Sequence, residues 1–133
     1  MSLPITGAVA AICALLLLFM AIQTVRQRLR LKVAFGDGGD AKLISASRSH
    51  GNLAEHAPIV IVMLGLLELS HASHNWLAAI AVMFVVGRVA HIIGLHTQSE
   101  PGKAPIGRQI GVVTTFLTLG GLAAWILWML FAK

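Results

Sequence analysis

Arg48-Ser49-His50-Gly51-Asn52-Leu53-Ala54-Glu55-His56-Ala57-Pro58 runs without a break into Ile59-Val60-Ile61-Val62-Met63-Leu64, and this junction decides the fold. Arg48, Asn52 and Glu55 are spaced four and then three residues apart. On a helix, at about 100° per residue, that spacing gathers them on one side. The apolar run that follows is part of a segment long enough to cross a hydrocarbon core. A guanidinium, an amide and a carboxylate therefore share one stripe of a membrane helix, where an unsatisfied polar group costs several kcal/mol. They must hold one another or hold a ligand.

Outward from this stretch the chain is apolar throughout. Of 133 residues, 57% are hydrophobic and only 11% are charged. A soluble domain of this size could not hide so much apolar surface. The apolar residues also come in blocks near the ~20 residues that a spanning helix needs. These features predict an all-α integral membrane protein, one domain over residues 1–133, folded as an up-down four-helix bundle. The helices are expected at roughly residues 3–32, 41–69, 76–96 and 106–131. The net charge of +5 would suggest nucleic acid in a soluble protein. Here the bases lie at the ends of apolar blocks, where they set orientation, so nucleic acid is not an expected partner. Cys13 has no second cysteine to pair with and reads as packing.

The connections carry their own signals. Arg26, Arg28, Arg30 and Lys32 follow the first block, the reverse of a cleaved leader's order, and predict a retained first helix with a basic stem. Phe35-Gly36-Asp37-Gly38-Gly39-Asp40 is a turn cluster, with Asp40 placed to cap the second helix. Glu68 is expected as a solvated helix end. His71 and His74 fall in a short loop with no third ligand nearby, so no metal is expected. Pro101, Gly102 and Pro105 mark the third connection. Gly107 and Gly111 would let the fourth helix approach a neighbour closely, and Gly120-Gly121 would do the same deeper in. By the positive-inside rule the first and third connections face the cytoplasm and both termini lie outside.

Arg88 and His91, in Gly87-Arg88-Val89-Ala90-His91, interrupt the third apolar block at a depth similar to that of the stripe. Two readings follow. Glu55 pairs with Arg88 or Arg48 and fixes helix register, or the group takes a ligand. Arg48 and Arg88, with Lys32, Lys103 and Arg108 near the same face, outnumber Glu55. That excess favours an anionic guest such as a carboxylate-rich tripeptide or a lipid headgroup.

Arg48-x-x-x-Asn52-x-x-Glu55 with Pro58, and Arg88-x-x-His91, resemble the MAPEG family, membrane-associated proteins in eicosanoid and glutathione metabolism. The likeness extends over nearly the whole chain, including the basic stem and Ala104-Pro105, and the Gly-Asp-Gly-Gly turn resembles the bacterial branch. The resemblance implies a homotrimer in the bacterial inner membrane, with glutathione as co-substrate bound between subunits near the cytoplasmic face. It implies Arg48, Asn52, Glu55, Arg88 and His91 as glutathione-binding residues, with His56 and Lys32 secondary. It further implies a transferase or peroxidase acting on hydrophobic electrophiles or lipid peroxides, with Arg108, or else Lys103, stabilising the thiolate. The chain departs from the family in having no tyrosine; His56 and Leu95 stand where family members often carry one. That departure keeps a second function in view, a non-enzymatic lipid-binding or scaffold protein of the same fold.

Overall fold

The structure is a computed structural model that describes residues 2–97 and 103–132. It contains four helices, α1 (Pro4–Leu31), α2 (Ala41–Leu69), α3 (His74–His96) and α4 (Ile106–Phe131). All four are long and apolar enough to cross a membrane. α3 begins at His74, so this histidine stands in the first helical turn and not in the loop expected for it. Residues 98–102, with Pro101 and Gly102 of the third connection, lie outside the described residues.

The ends of the helices follow from local chemistry. Pro4 occupies the first turn of α1, where its missing N–H costs nothing. Lys32 ends α1 in the left-handed region (φ 56°), and the Val33 N–H donates to the Arg28 carbonyl at 3.1 Å. In the connection that follows, Gly36, Gly38 and Gly39 all have positive φ, which a side chain would resist. Asp40 then caps α2. Its Oδ1 accepts from the Leu43 N–H at 2.9 Å, and its Oδ2 pairs with Arg30 at 2.7 Å.

The Leu43 N–H, with Arg30 second, holds the Asp40 carboxyl below the usual aspartate range. The stabilisation from this joint is therefore complete at neutral pH and lost only as pH falls through the lowered value. A carbon-13 titration should give Asp40 a midpoint below the ordinary ~3.9, and Arg30→Ala should move it part of the way back. A midpoint at or above the ordinary value would show that the cap does not form.

At the opposite end, Glu68 is not the solvated helix end expected from the sequence. It accepts from the Ile5 N–H and the Thr6 N–H, each at 2.9 Å, and from Thr6 Oγ1 at 2.6 Å. The first turn of α1 has no capping side chain of its own, and Glu68 supplies one from the last turn of α2.

The core lies between α1, α2 and α3, where Val9, Cys13, Leu53, Val60, Leu64, Leu77 and Phe84 are buried. Cys13 is a free, buried thiol, as its position suggested. α4 docks mainly on α3 and secondarily on α2. Among the described residues it makes no contact with α1, so the bundle is open along that side. The α3–α4 seam is made by glycines. A Cβ on Gly107 would lie 2.6 Å from the Ala90 carbonyl oxygen, and one on Gly94 would strike the Arg108 backbone nitrogen. Gly107 and Gly111 thus act as expected. Gly120 and Gly121 meet no helix of their own chain, since nothing in it lies within 4 Å of a Cβ built on either.

Candidate functional site

Arg88 is the centre of the polar constellation. It is 2% exposed and reaches two other helices from α3. One terminal nitrogen donates to Asn52 Oδ1 on α2 at 2.6 Å. The other donates to the Gly111 carbonyl on α4 at 2.5 Å and to Thr115 Oγ1. The Phe84 ring lies under the guanidinium, its centroid 5.7 Å away. All of these acceptors are neutral, and among the described residues no carboxylate pairs with Arg88. Its Nε is buried without a partner. A cation held by dipoles alone keeps its full charge available to any anion that comes near.

The contact with Asn52 fixes that side chain's orientation. A guanidinium can only donate, so the Asn52 oxygen must face it and the Asn52 amide nitrogen must face away. His56 Nδ1 lies 2.7 Å from the Asn52 carbonyl, and His91 Nδ1 lies 3.3 Å from the Arg108 carbonyl. Carbonyls accept, so each Nδ1 carries a proton and donates, and in the neutral ring Nε2 would be the acceptor. His91 is buried and packs where Gly111 leaves room for it.

The remaining members of the stripe sit elsewhere. Arg48 and Glu55 lie on the open side of α2, exposed on the single chain. Neither forms an ion pair among the described residues, so the register-fixing pairing of Glu55 with Arg88 or Arg48 is not present. Pro58 lies within α2 and has no N–H to give, so the Ala54 carbonyl beside Glu55 lacks its helical donor. The open face therefore presents, in order, a guanidinium, an amide N–H2 behind it, and a carboxylate next to a free carbonyl. Lys32 is exposed at the end of α1, while Lys103 and Arg108 are exposed before and within the first turn of α4. Among the described residues, no hydrogen bond joins the side chain of Lys32 or Arg108 to Arg88.

Two participants were not anticipated. Thr115 and the Gly111 carbonyl complete the Arg88 junction from α4, and Thr115 Oγ1 also donates to that carbonyl at 2.6 Å. The one sequence signal was a pair of threonines, Thr114-Thr115, with Thr115 four residues beyond Gly111, a glycine that allows close approach.

The MAPEG family model matches residues 6–128. The chain belongs to the MAPEG family. It is also similar to the Escherichia coli inner membrane protein YecN, from strain K12 and from strain O6:H1. The two are 40% identical to it over 88 residues, which is 65% of this chain and 66% of each relative. The chain thus spans just under two thirds of the length of the curated relatives it matches. As a MAPEG protein it is a four-helix membrane bundle, and its most polar interior feature, the Arg88 junction, ties α2, α3 and α4 together beside the open face of α2.

Proposed function

We propose that the protein is a homotrimer of the bacterial inner membrane that binds glutathione between neighbouring copies and uses its thiol against hydrophobic electrophiles or lipid peroxides. The observation that carries this reading is the open face of α2. Glu55 lies roughly 21 Å along the axis from Leu69, at about 1.5 Å per residue, which is membrane depth. A carboxylate facing acyl chains there costs about 2.5–3.5 kcal/mol. A second copy of the chain and a zwitterionic ligand remove that cost together. Arg48 takes a glutathione carboxylate as a bidentate pair, and the outward Asn52 amide donates to the peptide. Glu55 and the free Ala54 carbonyl accept the ammonium. Arg88 acts from behind by orienting Asn52, and its charge, with the Nε2 of His91, faces the same region. Lys32 and His56 stand at the margins of the site.

The first and third connections face the cytoplasm in this reading and both termini lie outside, so the site opens where glutathione is abundant. Arg108, or Lys103 near it, lowers the pKa of the bound thiol from about 8.5 and supplies thiolate. No metal takes part.

Titration of glutathione into the purified protein tests the site. Arg48→Ala and Glu55→Ala should each weaken binding by roughly tenfold or more, about 1.4 kcal/mol. Unchanged affinity in either variant removes that residue from the site. A second reading, a non-enzymatic lipid-binding or scaffold protein, is favoured by the absence of tyrosine and by the engagement of His56 Nδ1 with its own helix. Conjugation of a lipophilic chloronitrobenzene separates the two: binding without turnover leaves only the second.

A further inference from the structure

A second polar feature lies on a different side of the molecule from the open face of α2. Where the ends of α1 and α3 meet the start of α2, a groove of about 590 Å³ is lined by Phe19, Gln23 and Gln27 of α1, Lys42 of α2, and Ile93 and His96 of α3, among others. Its walls share one polarity order. Along α1, Phe19, Gln23 and Gln27 follow one another at one-turn intervals, from apolar at the deep end to amide at the helix end. On α3, Ile93 gives way to His96 in the same direction, and Lys42 stands at the same end on α2.

The polar end is not satisfied from within. Gln27 Oε1 is buried and accepts no hydrogen bond among the described residues. Lys42 has no partner among them either, while His96 Nδ1 is engaged by the Ile92 carbonyl at 2.9 Å, leaving Nε2 free. An orphaned amide oxygen at the edge of a bilayer requires a donor. Lys42, exposed on the same groove, offers a cation to an anion that enters it. Phe19 and Gln27 are about 12 Å apart along the helix axis, at ~1.5 Å per residue, so an occupant must place charge and hydroxyl groups at one end and hydrocarbon at the other.

We infer that this groove holds an anionic phospholipid with a hydroxyl-bearing headgroup, of phosphatidylglycerol chemistry. The phosphodiester pairs with Lys42, a headgroup hydroxyl donates to Gln27 Oε1, and an acyl chain lies against Phe19 and Ile93. Basic pockets between membrane helices select acidic lipids in this way. The site uses none of Arg48, Asn52 or Glu55, so it stands or falls independently of glutathione binding.

The experiment is native mass spectrometry of the protein released from neutral detergent micelles supplied with one lipid at a time. The probes are phosphatidylglycerol, phosphatidic acid (anionic, without the hydroxyls), phosphatidylcholine (no net charge) and oleate. Phosphatidylglycerol should be retained above phosphatidylcholine by roughly fivefold or more, which corresponds to about 1 kcal/mol. Lys42→Gln, a surface change, should abolish that preference. Gln27→Leu should remove the advantage of phosphatidylglycerol over phosphatidic acid while leaving the preference for anionic lipid. Equal retention of phosphatidylglycerol and phosphatidylcholine, or retention indifferent to both substitutions, overturns the proposal. Preferential retention of oleate overturns it too, in favour of a free fatty acid.

Discussion

Arg88→Ala should destabilise the protein by about 3–5 kcal/mol, the cost of a buried cavity plus stranded acceptors. The guanidinium is the one side chain seen to bond to α2 and α4 at once from α3, through Asn52 Oδ1 on one side and Gly111 O and Thr115 Oγ1 on the other. Its loss strands Asn52 Oδ1 inside the bundle and leaves Thr115 with a single partner. Arg88→Lys should rescue little, because an ammonium cannot fork between two helices as a planar guanidinium does. Denaturant unfolding in detergent, read by helix content, measures both. A loss below about 1 kcal/mol for Arg88→Ala would mean that apolar packing alone holds the three helices together, within the range of ordinary surface changes.

Gly94→Ala should cost nearly as much, although it adds one methyl group. The new Cβ would meet the Arg108 backbone nitrogen and lie 2.7 Å from the Gly107 carbonyl carbon. Backbone cannot rotate away as a side chain can, so α4 must move off α3. Overpacking of this kind costs roughly 1–3 kcal/mol, occasionally more, and the upper end applies when the obstacle is main chain. Gly120→Ala is the matched control, since no atom of its own chain lies within 4 Å of the added carbon. Equal losses at the two positions, measured side by side, would contradict the seam. Movement of α4 would also pull Gly111 and Thr115 away from Arg88, so Gly94→Ala and Arg88→Ala should be less than additive.

The four spans were legible because the lengths of the apolar blocks are set by the bilayer, and Asp40 was legible as a cap because capping is local. The shared face of Arg48, Asn52 and Glu55 was legible only coarsely. At about 100° per residue, Arg48 and Glu55 differ by about 20° around the helix, whereas Asn52 is offset from Glu55 by about 60°. That offset turns Asn52 into the joint with α3 and leaves the two charges on the open side, and it has meaning only once the position of α3 is known. Thr115 and the Gly111 carbonyl were not legible as partners of Arg88. Nothing in α4 encodes which side of α3 it will meet, apart from glycines that permit approach without directing it. Glu68 read as solvated for the same reason: its partners lie more than sixty residues earlier in the chain.

That separation bears on how the protein is made. The ribosome finishes α1 long before it reaches Glu68, so the amides of Ile5 and Thr6 are made with no capping side chain on their own helix. They are satisfied only when the far end of the first hairpin arrives. Until then the first turn of α1 must stay hydrated, and its final seating in the lipid waits for its sequel.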